Sequence, residues 1–331
     1  MNLAIVGATG NVGRKILEVL EKKNFPIDNL YFVASSKSAG SKLKFKGNEI
    51  EVKNLENFDF SKANITFFSA GGKISEQYVP TAAQESIVID NSSFFRMDPD
   101  VPLIVPQVNS NHIKNMKKNI IANPNCSTAQ LVIILKPLHD LFNIKRVIIS
   151  TYQSTSGAGK APMDELLEQT KLSLENKKIV SKNFTKQIAF NAIPHIDTFV
   201  DEGYTKEELK MVNETKKILD KNIEITATCV RIPVLVSHAE SINIEFENEF
   251  TIEKIRNALN SAEGCEVIDE RKDGGYITPL EAEGKNETFI SRIRKDNSNN
   301  KAVNLWCVSD NLLRGAALNA VEIAEAYIKN K

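Results

Sequence analysis

Short apolar runs recur through the first part of the chain, at 3–6, 30–34, 65–69, 87–90 and 120–122. Each has the length of a buried strand. Between the first two, Val12, Ile16, Val19 and Leu20 are spaced as one face of a helix over 12–21. Strands alternating with helices predict a parallel sheet covered on both faces. After Cys126 the pattern changes. A long apolar segment, 128–141, reads as a buried helix, 145–153 as a strand, and 162–175 as a helix with Pro162 near its first turn. The runs at 224–232, 241–247, 289–294 and 302–308 are strand-like with few helices between them, which predicts a mixed, mostly antiparallel sheet. A final amphipathic helix at 312–328 carries Leu313, Ala316, Ala317, Ala320, Ile323, Ala324 and Tyr327 on one face. The expected organisation is α/β: a doubly wound parallel domain of residues 1–126 to which 311–331 returns, and a second α+β domain of 127–310.

The 331 residues form a chain of two ordinary domains by length, 42% hydrophobic and 25% charged. Lys plus Arg and Asp plus Glu are 42 each, so the formal net charge is zero. Nothing in that balance points to nucleic acid or to an anionic membrane. No apolar run reaches the ~18 residues of a membrane span, and the opening Met-Asn-Leu-Ala-Ile-Val-Gly does not read as a signal peptide. Cys126, Cys229, Cys265 and Cys307 form no C-x-x-C pair, so neither a zinc site nor a disulfide framework is expected. The chain reads as cytoplasmic, with four thiols available.

Gly7-Ala8-Thr9-Gly10-Asn11-Val12-Gly13 lies between the first strand and the first helix. Glycines there permit a tight turn and close approach of a pyrophosphate to a helix N-terminus. The same spacing can also be a bare structural turn. At the end of the second strand an NAD site would carry a carboxylate for the ribose. Here Ser35, Ser36, Lys37 and Ser38 stand instead, hydroxyls and a cation that suit the 2′-phosphate of NADP or form only a solvated turn. Ser69 and Gly71, after a later strand, make a further cofactor-edge loop.

Asn123-Pro124-Asn125-Cys126-Ser127-Thr128 places a thiol at a helix start, where the helix dipole stabilises a thiolate. Asn125 is placed to donate to an oxyanion beside the sulfur. A cysteine is otherwise a small buried hydrophobe. Among His112, His139, His195 and His238, the first two read as surface residues and His195 as a helix cap. His238 follows Arg231 by seven residues across Pro233, so both can line one edge of a site.

These blocks together resemble the bacterial aspartate-semialdehyde dehydrogenase family. The resemblance spans essentially the whole chain, through the loop at Gly7–Gly13, the turn at 34–40, Asn91-Ser92-Ser93-Phe94-Phe95-Arg96-Met97-Asp98, the Cys126 segment, Gln153-Ser154-Thr155-Ser156-Gly157-Ala158-Gly159, Glu207-Glu208-Leu209-Lys210, and Ala227-Thr228-Cys229-Val230-Arg231-Ile232-Pro233-Val234 with His238. It implies a Rossmann-type domain, a second domain like that of glyceraldehyde-3-phosphate dehydrogenase, and a homodimer or homotetramer. It also implies NADPH-dependent reductive dephosphorylation of L-4-aspartyl phosphate to L-aspartate 4-semialdehyde and inorganic phosphate, in lysine, methionine, threonine and diaminopimelate biosynthesis. By the same resemblance Cys126 is the nucleophile, Gln153 orients the acyl group and His238 is the acid–base residue. Arg231 meets the substrate carboxylate, Glu207 its ammonium, and Arg96 and Lys210 the phosphate. Thr9, Gly10, Asn11, Val12, Ser35, Ser38, Ser156, Gly157 and Asn311 contact the cofactor. An N-acetyl-glutamyl-phosphate reductase shares the two-domain plan, but its substrate has no ammonium for Glu207. The chain departs from the family at Ser237 and Ala239, where Gly and Ser commonly flank the histidine, and at Lys37, often Arg.

Overall fold

A computed structural model describes residues 1–329; the last two residues of the expected return segment 311–331 lie outside the described residues. In chain order the elements begin β1 (Asn2–Val6), α1 (Asn11–Lys22), β2 (Asn29–Ala34), β3 (Lys42–Phe45), β4 (Asn48–Asn54), β5 (Ile65–Phe68), α2 (Gly72–Glu85), β6 (Ile87–Asp90), α3 (Pro106–Asn109) and β7 (Ile120–Ala122). They continue with α4 (Cys126–Phe142), β8 (Ile144–Gln153), α5 (Lys160–Leu174), α6 (Lys206–Ile218), β9 (Glu224–Arg231), β10 (His238–Phe246), α7 (Ile252–Ser261), β11 (Cys265–Val267), α8 (Pro279–Ala282), β12 (Thr288–Lys295), β13 (Ala302–Ser309) and α9 (Leu318–Lys329).

The chain divides into two compact units, Met1–Asn125 with the segment from Ala316 onward, and Cys126–Gly315. Cys126 therefore falls to the second unit as the first residue of α4, and 311–315 fall with it. The reason is local. Asn311 Oδ1 accepts from Ser154 Oγ, Ser156 Oγ and the Ser237 N–H. A Cβ on Gly315 would lie 2.5 Å from Cys126 Cβ, so the backbone at 315 packs directly on the thiol residue.

In the first unit the sheet order is β3-β4-β2-β1-β5-β6-β7. All neighbours are parallel except the β3–β4 hairpin. The chain leaves β1 toward β2 on one side and later resumes on the other side with β5. The C-terminal end of β1 is thus a topological switch point, where doubly wound sheets bind ligands. β5 is buried at every position and β1 from Leu3 to Val6, as two-sided coverage requires. β3 and β4 were not expected. Their sequences, Lys-Leu-Lys-Phe and Asn-Glu-Ile-Glu-Val-Lys-Asn, are half polar, and they join through Lys46 and Gly47, both at positive φ as a two-residue hairpin turn demands. The returning helix begins at Leu313, one residue later than expected, and its first turn, Leu313–Ala317, is a wider π-helical one that runs directly into α9.

In the second unit the order is β11-β12-β13-β10-β8-β9. β8–β9 and β11–β12 run parallel, and the remaining pairs antiparallel. The register stacks four-residue rows across β9, β8, β10 and β13 on the face toward α4. Arg231, Gln153, His238 and Ser309 form the edge row; Cys229, Thr151, Glu240 and Cys307 the next; Ala227, Ile149, Ile242 and Leu305 the third. Every one of these side chains is buried. The third row continues into an apolar core with Leu131, Ile134, Leu135 and Leu138 of α4. Polarity thus falls from the strand ends toward the core, and α4 covers the gradient. Pro162 is the third residue of α5 rather than its first, still within the turn where a missing N–H costs nothing.

The glycine loop sets the first stability test. A Cβ on Gly13 would stand 2.3 Å from the Gly7 carbonyl oxygen, a backbone atom that cannot swing away. Gly13→Ala should therefore lower the melting temperature, by the equivalent of about 1–3 kcal/mol, and weaken dinucleotide binding with it. A melting curve and a binding titration on the variant check this; wild-type behaviour in both would contradict it.

Candidate active site

The second unit gathers most of the expected catalytic and substrate residues. α4 opens at Cys126, so the thiol sits where the helix presents free N–H groups. The other three cysteines are poor nucleophiles. Burial pushes the Cys265 thiol up to about 12 and raises Cys229 and Cys307 as well. Cys126 is only half-buried and interacts electrostatically with Arg231.

Around it the edge row supplies polar groups. Gln153 Nε2 donates to Glu207 Oε1 at 3.0 Å, and Thr151 Oγ1 donates to Gln153 Oε1 at 3.2 Å. Gln153 is thereby held at both ends of its amide. Glu207, in the first turn of α6, also accepts from Lys210 Nζ at 3.0 Å, and Lys210 donates to Asp197 Oδ2 at 2.8 Å. Burial opposes the Lys210 charge, but Glu207 and Asp197 outweigh it and raise its pKa. Arg231 Nη1 donates to the Ser154 carbonyl at 2.6 Å. Burial lowers its pKa, with Glu207 opposing that shift. His238 is fully buried, and burial together with the Arg231 charge brings its pKa down to about 3.

Backbone geometry clears the space between these groups. A Cβ on Gly157 would lie 3.0 Å from His238 Nε2 and 3.4 Å from Arg231 Nη1. The segment is pinned by Thr155 N–H and Ser156 N–H donating to the carbonyls of Val234 and Leu235. Ser237, where the family commonly has glycine, adopts φ +74°, a left-handed conformation that costs a serine about 1–2 kcal/mol. Its N–H donation to Asn311 Oδ1 at 2.9 Å helps hold it there.

The expected cofactor residues lie in the first unit, except Ser156, Gly157 and Asn311. Gly7 has φ +85°, and a Cβ there would stand 2.7 Å from the Ser69 carbonyl oxygen. Gly10 N–H donates to the Gly7 carbonyl, and Gly10 precedes α1 without a side-chain cap. Ser69 Oγ donates to the Val6 carbonyl, and Gly71, at φ +89°, precedes α2, also uncapped. Ser35, Ser36 and Lys37 are exposed in the turn after β2. This glycine cradle, which a Cβ at Gly7 or Gly13 would crowd, fits a dinucleotide pyrophosphate. Arg96 and Asn125 are buried in the same unit. Arg96 Nε donates to the Asn123 carbonyl and Nη2 to the Asn91 carbonyl. Among the described residues no cluster of His, Cys, Asp or Glu could hold a metal ion, and no helix is long and apolar enough to cross a membrane.

Two family models match the chain: the semialdehyde dehydrogenase NAD binding domain over residues 2–116 and the semialdehyde dehydrogenase dimerisation domain over 135–314. Aspartate-semialdehyde dehydrogenase of Aquifex aeolicus is 52% identical, over 99% of this chain and 98% of the relative. The chain belongs to the aspartate-semialdehyde dehydrogenase family. Aspartate-semialdehyde dehydrogenase II of Vibrio cholerae complexed with ASA superposes with a TM-score of 0.97 at 45% identity, covering 99% and 98% of the two chains. The Candida albicans enzyme with NADP does so at 0.75 and 26% identity, covering 98% and 97%. As a member of this oxidoreductase family the chain has a nicotinamide-dinucleotide-binding parallel sheet and a second, mostly antiparallel domain.

Several residues that shape the site were not singled out from the sequence. Ser154 and Thr151 lie in or beside the recognised Gln153–Gly159 block, and strand alternation places Thr151 on the same face as Gln153. Asp197, the second carboxylate on Lys210, sits in an irregular loop that no periodicity marks. His195 caps no helix; its ring stacks on Phe199 at 4.3 Å. Glu240 follows His238 by two and so shares its face. It is fully buried beside Gln130 of α4, whose amide offsets only part of the cost of burying the carboxyl. Burial raises its pKa well above 4.5.

That raised pKa has a sign in stability. A group whose folded pKa exceeds its unfolded value contributes its full stability below the unfolded value, 4.5, and loses it as pH rises toward the folded value. Wild-type protein should thus lose up to about 1.4 kcal/mol per pH unit from this residue in that window. Glu240→Gln removes the ionisation, so its melting temperature relative to wild type should climb as the pH rises above 4.5. A pH-independent difference would show that Glu240 is ionised in the folded protein.

Proposed function

We propose that the protein interconverts L-4-aspartyl phosphate and L-aspartate 4-semialdehyde, using NADP and a thioester on Cys126. In the biosynthetic direction this is reductive dephosphorylation, on the route to lysine, methionine, threonine, isoleucine and diaminopimelate. The observation that carries the reading is the charge pattern around one accessible thiol: Arg231, Glu207 and Lys210 with Gln153 between them. A carboxylate, an ammonium and a phosphate on one small acyl substrate need those partners.

Cys126 thiolate, favoured by the start of α4, attacks the acyl carbon, and phosphate leaves with the C–O electron pair. The helix-start N–H groups and Asn125 receive the oxyanion. Gln153, fixed by Thr151 and Glu207, orients the acyl group, and His238 is the acid–base residue. Arg231 grips the α-carboxylate in two-point fashion. Glu207 already accepts from Gln153 and Lys210, and a carboxylate has about four acceptor sites, so a substrate ammonium can join them. Lys210 and Arg96 receive phosphate. The loop of Gly7, Thr9, Gly10, Asn11, Val12 and Gly13, with Ser35, Ser36, Lys37, Ser38, Ser69, Gly71, Ser156, Gly157 and Asn311, would hold the cofactor. When bound, the nicotinamide supplies the hydride that reduces the thioester.

NADP is favoured over NAD because no carboxylate follows Ala34, and because the Candida albicans relative is described with NADP. The match to a dimerisation domain supports a homodimer; the family resemblance extends this to a tetramer of dimers. The half-exposed sheet face bearing Ile148, Tyr152 and Trp306 is open to a second copy. Four free cysteines and a biosynthetic reaction fit a cytoplasmic location.

Reduction of NADP in the presence of aspartate semialdehyde and phosphate tests the activity. In that assay Arg231→Leu should lose about 30- to several-thousand-fold in kcat/KM for the semialdehyde, the cost of about 2–5 kcal/mol for one buried charged contact. Arg231→Lys should recover part of it, since an ammonium lacks the fork. Unchanged kinetics in a destabilised Arg231→Leu protein would reduce Arg231 to a structural residue. With wild-type protein, kcat/KM should favour NADP moderately, Lys37 providing charge without a guanidinium fork. Equal values with NAD would contradict the assignment of the Ser35–Ser38 turn.

A further inference from the structure

Lys210 ends a short chain of charged groups in the second unit. Its Nζ donates to Glu207 Oε2 at 3.0 Å and to Asp197 Oδ2 at 2.8 Å. An ammonium carries three protons. The two carboxylates take two of them, and tetrahedral geometry then fixes the direction of the third. The side chain is 24% exposed, enough for a small anion to reach that proton. Glu207 lies one turn back on α6, and its other oxygen accepts from Gln153. Asp197 comes from a separate loop, and the reaction proposed above gives it no part.

That loop is stapled on both sides. Upstream, Ile193 exchanges two backbone hydrogen bonds with Arg231 at the end of β9, at 2.9 and 2.8 Å. Downstream, the Thr198 carbonyl accepts from the Lys206 N–H at 2.9 Å and the Val200 N–H donates to the Tyr204 carbonyl at 2.8 Å, on the approach to α6. The His195 ring stacks on Phe199 within the same loop. Asp197 itself has φ +69°, a left-handed conformation that Asp tolerates better than most residues. Its two oxygens have separate duties: Oδ1 accepts from the Thr198 N–H at 2.8 Å, and Oδ2 from Lys210. Burial works against this carboxylate, but Lys210 and the Thr198 N–H outweigh it and hold its pKa below the ordinary value. One carboxylate thus ties the strand end that bears Arg231 to the helix turn that bears Glu207 and Lys210.

We propose that Asp197 is a positioning residue: with Glu207 it aims the third Nζ proton of Lys210 at the phosphate. The inference rests on Lys210 receiving phosphate, as in the reaction above, and says how a flexible side chain is made to do so. A lysine ammonium is a point charge on a mobile stem, and unheld it spreads its protons over many directions. Holding it has an electrostatic cost, because a second carboxylate beside the cation repels an incoming anion. Position and charge therefore predict opposite effects when the carboxylate is lost. An asparagine cannot stand in for it. Its single acceptor oxygen serves either the Thr198 N–H or Lys210, and its NH₂ then faces the other donor.

Steady-state kinetics with aspartate semialdehyde, NADP and varied phosphate test this. Asp197→Asn keeps the side-chain size and tolerates positive φ, so the variant should fold as wild type does. Its KM for phosphate should rise at least about fivefold, as for a weakened charge-assisted hydrogen bond, while the KM for semialdehyde changes by less than about twofold. An unchanged phosphate KM, or the lowered one that charge alone would give, would overturn the proposal. Lys210→Ala should raise the phosphate KM by about ten- to a hundredfold. Adding Asp197→Asn to it should do nothing further, because a positioning residue has no effect once the group it positions is gone. The same rise from Asp197→Asn in both backgrounds would make its role structural and overturn the proposal. A phosphate KM unmoved by Lys210→Ala would remove the assignment of Lys210 and the proposal with it. Binding of inorganic phosphate, followed by 31P line broadening, needs no turnover. Wild-type protein that binds phosphate more tightly than either variant but does not turn over aspartate semialdehyde would remove the thioester reading and leave the positioning role standing.

Discussion

The register of β8 against β9 and β10 is the constraint from which the site follows. Side chains alternate strictly across a sheet, so a slip of one residue would turn Gln153, Arg231 and His238 to the opposite face and bring Tyr152, Val230 and Ala239 inward. The apolar rows beneath prevent that slip. Ile149, Ile242, Ala227 and Leu305 are buried against α4, and moving them outward would forfeit roughly 1.5–3 kcal/mol for each large side chain. Core packing far from the chemistry therefore fixes the chemistry in place. The same register delivers the Ser154 N–H to His238, a contact that no side-chain choice could create alone.

Charge in this region is arranged to remain where it is useful. Isolated buried charges are costly, and paired, hydrogen-bonded ones are tolerated. Glu207, Lys210 and Asp197 form a chain of pairs, and Arg231 is hydrogen-bonded to a carbonyl while Glu207 supports its charge. Groups that could add unwanted charge are disfavoured from ionising: His238 by burial and the Arg231 charge, Glu240 by burial. Three thiols are silenced by burial, and the remaining one stands at a helix start.

Much of this was legible in the sequence, for physical reasons that differ by element. Strands buried on both faces, such as β1 and β5, announce themselves as continuous apolar runs. β3 and β4 do not, because a half-exposed hairpin of alternating Lys and Glu resembles a loop. Individual motifs such as the Gly7–Gly13 loop or Cys126 carried only weak signals; their joint order carried the family. Asp197 and Ser154 were hidden for opposite reasons. Asp197 reaches Lys210 from an irregular loop, with no local pattern to mark it. Ser154 acts through its backbone, and side-chain chemistry is silent about where an N–H points. The division of the chain at Gly315 and Ala316 was likewise unreadable, because it depends on Gly315 abutting Cys126 in three dimensions.

The central claim is that acyl transfer passes through one sulfur, that of Cys126. Mass spectrometry of protein quenched after mixing with aspartyl phosphate, with no reduced cofactor present, measures this directly. The account predicts one aspartyl group per active chain, carried on the peptide containing Cys126 and released by hydroxylamine as a thioester should be. Phosphate release with no such adduct, or an adduct on Cys229, Cys265 or Cys307, would contradict it.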